Sequence, residues 1–258
     1  MSHKVNCVAR HFVLMAIILA AASDSLMAQQ AVPTGWADFT KMFDTTMERD
    51  RVNGAAIVVL RDGNLISRHE YGFADRANNK RVTDRTIFHY GSITKTLTAV
   101  AVMQLRDRGR LSLDDQVTRY IPELRMVHDP YHAIDKITIR MLLSHSAGFQ
   151  NPTWPYKEGK DWEPFEPTTW NQLVAMMPYQ ELLFEPGSRF SYSNPAFIYL
   201  ARIIEQLTGD SWEVYVQKNI FAPLGMTHSY FGVTPYYLEP DRSHNYTLMK
   251  DANGKETV

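Results

Sequence analysis

The sequence predicts an α+β fold, in which an antiparallel sheet is flanked by helices and carries an inserted helical lobe. Residues 55–60 form an apolar run that an Asp-Gly turn joins to a second strand-like run over residues 65–71, which indicates a hairpin. Between residues 93 and 220 the apolar positions instead recur at helical spacing. The last stretch, residues 243–258, again has the pattern of a strand, a turn and the start of a return strand. Strands at both ends with helices between them are typical of an α+β arrangement.

The elements of the first half follow from local patterns. Aromatic and apolar residues at helical spacing predict a first helix over residues 36–47, which ends before Asn53. After the hairpin, the polar stretch over residues 72–86 is predicted to be a loop. The apolar positions over residues 93–105 then predict a helix, with Gly109 as its stop.

The second half is predicted to be mostly helical. Helices are expected over residues 137–144, 169–177, 197–207 and 212–220. Thr138 is the expected cap of the first of them, and Asp210 or Ser211 caps the last. Residues 149–167 hold four prolines and several aromatic residues without a clear period, so they are predicted to form a long loop. This loop either walls a substrate pocket or packs over the core.

The composition excludes several classes of function. The 258 residues are 45% hydrophobic, and the formal net charge is −1 without a basic run, so neither nucleic acid nor an anionic membrane surface is an expected partner. The chain has one cysteine, Cys7, and no zinc-type spacing of cysteine and histidine. Neither a metal nor a disulfide is therefore predicted.

The N-terminus has the pattern of a secretory signal peptide, predicted over residues 1–28. A basic leader precedes an apolar stretch over residues 12–22, and Ala28 offers a small residue for cleavage. The alternative is a retained membrane anchor, but the apolar run is too short to span a bilayer comfortably. We therefore expect an exported protein, periplasmic or extracellular, with no stable membrane anchor and a mature domain over residues 29–258.

Ser92 and Lys95 form the first candidate site. They are three residues apart at the predicted start of a helix, which places them on the same face, one turn from each other. A hydroxyl beside an ammonium can act as a nucleophile, and the free N–H groups of a helix N-terminus can hold an oxyanion. This is the S-x-x-K arrangement of penicillin-binding proteins and serine β-lactamases. Alone it is a weak signal, since Ser92 can equally be a helix cap and Lys95 a solvated side chain.

Tyr192 and Asn194 form the second candidate site. They belong to the one Tyr-x-Asn of the chain, on a turn between Gly187 and a predicted helix. A tyrosine held beside a lysine ammonium has a lowered pKa and can accept a proton, and the Asn194 amide can bind both a carbonyl and an ammonium. The simpler interpretation is a turn rich in Tyr, Ser and Asn for local reasons.

Five short motifs occur in the order found in the β-lactamase-related serine hydrolases. They are Gly-Ser-Ile-Thr-Lys at 91–95, Met-Leu-Leu-Ser-His-Ser-Ala-Gly-Phe at 141–149, Phe-Glu-Pro-Gly at 184–187, Tyr-Ser-Asn at 192–194 and Pro-Leu-Gly-Met at 223–226. The chain thus resembles this family of class C-like β-lactamases, low-molecular-weight penicillin-binding proteins, D-aminopeptidases and related esterases. The resemblance covers about residues 55–231.

The resemblance implies a role for each candidate residue. Ser92 would be the nucleophile, and Lys95 would assist its deprotonation. Tyr192 would be the general base or acid, and Asn194 would orient the substrate. The N–H of Ser92 would form one half of the oxyanion hole. Because Tyr192 stands where class A enzymes have a serine, the class C-like or esterase-like branch is favoured. The expected partner is a small-molecule or peptide substrate, and no cofactor is expected.

One motif of the family is not found. Its members have Lys-Thr-Gly or His-x-Gly on a late strand, whereas the one match here, residues 89–91, immediately precedes Ser92. The resemblance therefore implies that the sheet lacks its C-terminal part in this chain, and a fragment of a longer protein is favoured over a truncated product. His145 invites a triad with Ser92, but S-x-x-K already supplies a base, so a structural role is predicted for it.

The sequence thus predicts a secreted or periplasmic serine hydrolase. It would act through an acyl-enzyme on a β-lactam, a D-amino-acid peptide or an ester. The missing third motif leaves one alternative, a non-catalytic protein of the same fold that binds penicillin or peptidoglycan peptides.

Overall fold

The computed structural model describes residues 32–150, 167–247, 249–250 and 256–257. It divides the chain into two compact units, one made of residues 1–88 with 241–258 and the other of residues 89–240. The second unit is thus inserted in the chain of the first, and the predicted α+β class is confirmed. The signal peptide predicted over residues 1–28 and most of the predicted aromatic loop lie outside the described residues.

The first unit is built on one helix and a three-stranded antiparallel sheet. The elements are α1 (Trp36–Arg49), β1 (Gly54–Arg61), β2 (Asn64–Asp75) and β3 (Lys80–Arg81), with the strands in the order β1-β2-β3. Asp62 and Gly63 form the tight turn of the β1–β2 hairpin, and both have positive φ, as the left-handed turns that join paired strands require. The predicted first helix and hairpin are confirmed.

The predicted loop over residues 72–86 is partly wrong. β2 continues through this stretch to Asp75, and β3 pairs with it, Phe73 lying opposite Arg81. The carbonyl of Phe73 accepts a hydrogen bond from the Asn53 side chain at 2.7 Å, and its N–H donates to the Asn53 carbonyl at 2.8 Å. These partners are distant in sequence, so the local polar composition could not reveal the extension.

The C-terminal part of the first unit is less regular than predicted. Two-residue strands, β4 (Met249–Lys250) and β5 (Glu256–Thr257), pair with each other in antiparallel fashion. The segment before them returns to the rest of the unit through Ile87, whose N–H donates to Asp241 and whose carbonyl accepts from Ser243. The strand predicted from residue 243 therefore begins later, at residue 249.

The second unit is helical. Its helices are α2 (Thr94–Asp107), α3 (Ile139–Leu143), α4 (Trp170–Met176), α5 (Asn194–Thr208) and α6 (Trp212–Val216), which continues as a π-helical turn over Gln217–Phe221. Short 3₁₀ turns cover Gly91–Ile93, Val117–Arg119, Pro122–Met126, Ile134–Lys136 and Met177–Tyr179, and another, Glu239–Asp241, lies at the boundary with the first unit. Each predicted helix is present within a few residues. Thr138 and Ser211 cap α3 and α6, since each side-chain oxygen accepts an N–H of the first turn.

The two longest helices of this unit position the residues of the candidate site. α2 and α5 bury Leu105 and Ile203, each at most 1% exposed, in one hydrophobic core, so the two helices hold a fixed relation. Ser92 lies just before α2, and α5 begins at Asn194. The predicted catalytic residues are therefore carried by the N-terminal ends of two helices that share a core.

Within the described ranges, no helix combines the length and apolarity that crossing a membrane requires.

Candidate active site

Ser92 and Lys95 meet at the start of α2, as predicted. Ser92 lies in the 3₁₀ turn that opens the helix, and Lys95 lies in the first helical turn. Lys95 Nζ donates a hydrogen bond to Ser92 Oγ over 3.3 Å. The serine is exposed and the lysine is partly buried, so a substrate can reach the hydroxyl while the ammonium is held beside it.

The Tyr192–Asn194 turn brings its two side chains to the same place. The hydroxyl of Tyr192 donates to Ser92 Oγ over 2.6 Å, although the two residues are 100 positions apart in the chain. Lys95 Nζ also donates to Asn194 Oδ1 over 2.8 Å. Ser193 between them is buried and caps α5 by accepting the N–H of Ala196, which fixes the turn to the helix. All four candidate residues from the sequence are thus in one hydrogen-bonded group.

The ammonium of Lys95 dominates the electrostatics of this group. Its Nζ lies 4.7 Å from the ring centroid of Tyr192 and 5.7 Å from that of Phe197, so it also makes cation–π contacts. Hydrogen bonding to Lys95, and then to Ser92, lowers the pKa of Tyr192 below its ordinary value. A cation that stabilises the phenolate increases the fraction of Tyr192 that is deprotonated at a given pH, and the phenolate is the form that accepts a proton.

This arrangement can carry out nucleophilic catalysis. A serine hydroxyl contacts a phenol with a lowered pKa on one side and a fixed cation on the other. A proton can therefore leave Ser92 Oγ directly for the oxygen of Tyr192. The N-terminal end of α2 supplies backbone N–H groups and the positive end of a helix dipole, which favour an anion at this position.

His145 lies behind the turn, not beside the serine. Its Nδ1 accepts the N–H of Ser193 over 3.1 Å, and its carbonyl accepts the N–H of Ser191 over 2.8 Å. Its ring centroid is 4.5 Å from that of Tyr192 and 5.0 Å from that of Phe197. These contacts agree with the predicted structural role, but sequence reasoning missed that His145 supports the ring of Tyr192. No local signal could have revealed it, because these partners are 46 to 52 residues away in the chain.

Two of the three motifs that carry no predicted catalytic residue, at 141–149 and 184–187, hold the tyrosine in place. Residues 145–148 run alongside residues 183–191, where the N–H of Leu183 donates to the Gly148 carbonyl over 2.9 Å and that of Gly187 donates to the Ser146 carbonyl over 2.8 Å. The segment that leads into Tyr192 is thus attached to the end of α3 along its length, and it cannot shift without breaking these bonds.

Gly148 is the tightest point of this pairing. It has a φ of +89°, and a Cβ there would lie 2.6 Å from the Phe184 carbonyl oxygen. We expect Gly148→Ala to lower the free energy of unfolding by about 2–3 kcal/mol, because backbone strain and a clash add together. Gly209→Ala is the matched control, since Gly209 has a φ of +78° with open space around it and should cost only about 1 kcal/mol. Urea unfolding of the two variants measures the difference, and equal stabilities would contradict the close packing described.

Residues 39–255 match the sequence model of the family described as Beta-lactamase. Among curated proteins, penicillin-binding protein 4* of Bacillus subtilis (strain 168) is 28% identical over 207 residues, which are 80% of this chain and 43% of that protein. Protein flp of Staphylococcus aureus (strain COL) is 28% identical over 208 residues, 79% of this chain and 41% of that protein. The chain thus spans about two fifths of the length of these relatives.

Solved structures are similar over most of this chain. The octameric penicillin-binding protein homologue from Pyrococcus abyssi is 30% identical, with a TM-score of 0.68 over 86% of this chain and 49% of that one. A class C β-lactamase is 23% identical, with a TM-score of 0.65 over 84% of this chain and 55% of that one, and at this identity the similarity concerns the fold. The predicted resemblance in sequence and fold is confirmed.

Proposed function

The chain belongs to the β-lactamase family, and from that membership we propose that it is a serine hydrolase that forms an acyl-enzyme on Ser92. The observation that carries this proposal is the 2.6 Å hydrogen bond between Tyr192 and Ser92, with the Lys95 ammonium in contact with the serine. A nucleophile, a proton acceptor and a cation that lowers the acceptor's pKa are the parts that acyl transfer needs.

In the proposed acylation step, Tyr192 acts as the phenolate. Ser92 Oγ attacks the substrate carbonyl carbon and passes its proton to the Tyr192 oxygen, while the carbonyl electrons move to oxygen and form a tetrahedral oxyanion. The oxyanion lies at the N-terminal end of α2. When it collapses, the bond to the leaving group breaks, Tyr192 protonates that group, and an ester to Ser92 remains.

In the proposed deacylation step, the same tyrosine activates water. Tyr192 is again a phenolate once it has given its proton away, and it takes a proton from a water molecule that attacks the ester carbonyl. Collapse of the second oxyanion releases the acid and returns the proton to Ser92 Oγ. Lys95 donates a hydrogen bond to Asn194 Oδ1, and this contact orients the Asn194 amide, which donates to the carbonyl of the substrate.

The proposed substrates are β-lactams, D-amino-acid peptides and esters. All three present a carbonyl carbon that a serine hydroxyl can attack, with transfer of the acyl group to the serine. The choice among them depends on the shape of the pocket. Two relatives are named for penicillin binding, which supports including β-lactams and the peptides they resemble. We also propose that the protein acts outside the cytoplasm, on the strength of the leader pattern in residues 1–28.

Turnover of three probes by the purified 258-residue chain tests the proposal. The probes are benzylpenicillin, a peptide ending in D-alanyl-D-alanine, and p-nitrophenyl acetate. Each probe is tested with the wild type and with the control variant Ser112→Ala, which replaces another exposed serine. We expect both proteins to hydrolyse at least one probe at equal rates. Binding of a probe without any hydrolysis would favour the alternative, a non-catalytic penicillin- or peptide-binding protein of the same fold.

A further inference from the structure

His145 holds the Tyr192 turn through three different contacts. Its carbonyl and its Nδ1 accept the N–H groups of Ser191 and Ser193, the residues on either side of Tyr192. The centroid of its ring lies 4.5 Å from that of the Tyr192 ring, at an interplanar angle of 33°. His145 therefore holds the tyrosine in two ways. It accepts hydrogen bonds from both of the residues next to Tyr192 in the chain, and its ring packs against the ring of Tyr192.

The contact through Nδ1 requires an unprotonated nitrogen. A neutral imidazole has one nitrogen that accepts and one that donates, whereas the imidazolium donates from both. Ser193 is 3% exposed, so a protonated His145 would leave a buried N–H facing another N–H. The tautomer with its proton on Nε2 is the one that satisfies this bond.

The charged surroundings of His145 favour the same neutral form. Burial lowers the pKa of His145, and the positive charge of Lys95, which the α2 helix presents, lowers it further. The turn presents Tyr192 as its titratable group, and α5 presents the uncharged ring of Phe197 at 5.0 Å. A positive charge on His145 would thus be repelled by Lys95, and it would also break the hydrogen bond from the Ser193 N–H.

We propose that His145, as a neutral imidazole, is the positioning residue that sets Tyr192 against Ser92, and that its protonation releases Tyr192 from this position. The inference rests on the proposed role of Tyr192 as proton carrier. It differs from a Ser-His triad, because the imidazole contacts the backbone next to the general base and exchanges no proton with substrate.

Two substitutions separate the parts of this role. His145→Asn places an amide oxygen near the position of Nδ1, accepts the same N–H without titrating, and tolerates the φ of +55° at this residue. His145→Phe keeps an aromatic ring under Tyr192 but has no acceptor. His132, which is exposed and has a φ of +50°, provides matched controls with His132→Asn and His132→Phe.

The rate of acylation of Ser92 is measured against pH for all five proteins, with the substrate that the wild type accepts. We expect His145→Phe to lose about 10-fold or more at every pH. We expect His145→Asn to recover most of that loss and to keep the pH dependence that Tyr192 imposes, but to lack the additional decrease in rate that the wild type shows below the ordinary pKa of histidine. The His132 variants should match the wild type. Unchanged acylation in His145→Phe, or a pH profile of His145→Asn that is as steep at acidic pH as that of the wild type, would overturn the proposal.

A nuclear magnetic resonance titration separates this inference from the proposed function. If the wild type forms no Ser92-dependent adduct, the proposed hydrolase function fails, and the imidazole nitrogens of His145 then decide the inference alone. We expect the proton on Nε2 at neutral pH, and an amide signal of Ser193 that shifts with the same midpoint as His145. A proton on Nδ1, or a Ser193 signal that ignores the titration, would overturn it.

Discussion

Replacing Ser92 by alanine is expected to abolish hydrolysis of any substrate that the protein turns over. The variant lacks the oxygen that contacts both Lys95 and Tyr192, and neither of these can replace it as a nucleophile. In a serine hydrolase that works through an acyl-enzyme, loss of the nucleophile lowers kcat by about 10⁴-fold or more. The measurement is kcat and kcat/KM for wild type and Ser92→Ala on the best probe.

The Ser92 variant is expected to fold as the wild type does, since the Ser92 side chain is exposed and its hydrogen bonds among the described residues are to Lys95 and Tyr192. Circular dichroism and the thermal midpoint should therefore be unchanged. The control is Ser112→Ala, which replaces an exposed serine outside the candidate motifs. This variant should keep its activity. A rate within tenfold of wild type for Ser92→Ala would mean that another group attacks the substrate.

Replacing Lys95 by methionine is expected to lower kcat/KM by about 10³-fold. Methionine keeps the length of the side chain and its contact with the rings of Tyr192 and Phe197, but removes the charge. The hydrogen bonds to Ser92 Oγ and Asn194 Oδ1 are lost together, so the proposed nucleophile and the proposed substrate-binding amide both lose their common partner. Lys218→Met, which removes a surface ion pair with Asp210, is the matched control.

The pH dependence of the Lys95 variant gives a second readout. Lys95 lowers the pKa of Tyr192, so its removal raises that pKa and leaves less phenolate at any given pH. The rise of kcat/KM with pH should therefore move to more alkaline values in Lys95→Met. The pKa of His145, which the Lys95 charge also lowers, should rise in the same variant. Loss of activity without any alkaline shift would mean that Lys95 acts independently of Tyr192.

Much of the fold was predictable because its signals are local. The Asp-Gly turn of the first hairpin, the helical spacing in α2 and α5, and the caps Thr138 and Ser211 each depend on a few adjacent residues. The extension of β2 and the pairing of β3 were missed, because their hydrogen bonds go to Asn53 and to residues whose polar composition resembles a loop. Tertiary contacts outweighed local propensity there.

The candidate site was predictable as a set of residues, but not as a geometry. S-x-x-K fixes the separation of Ser92 and Lys95 because both lie on one helical turn. Nothing in the spacing fixes the distance from Tyr192 to Ser92, which depends on how α5 and residues 145–148 hold the turn. The contacts of His145 escaped prediction for the same reason, since a histidine after a short helix has no pattern of its own.

The central claim is that Ser92 carries the acyl group, and trapping that group tests it most directly. The purified chain is mixed separately with benzylpenicillin and with p-nitrophenyl acetate, quenched in acid, weighed intact by mass spectrometry and then digested. We predict a single adduct of the mass of one acyl group, on the peptide that contains Ser92, and no adduct in Ser92→Ala. An adduct on another residue, or one that persists in Ser92→Ala, would contradict the account.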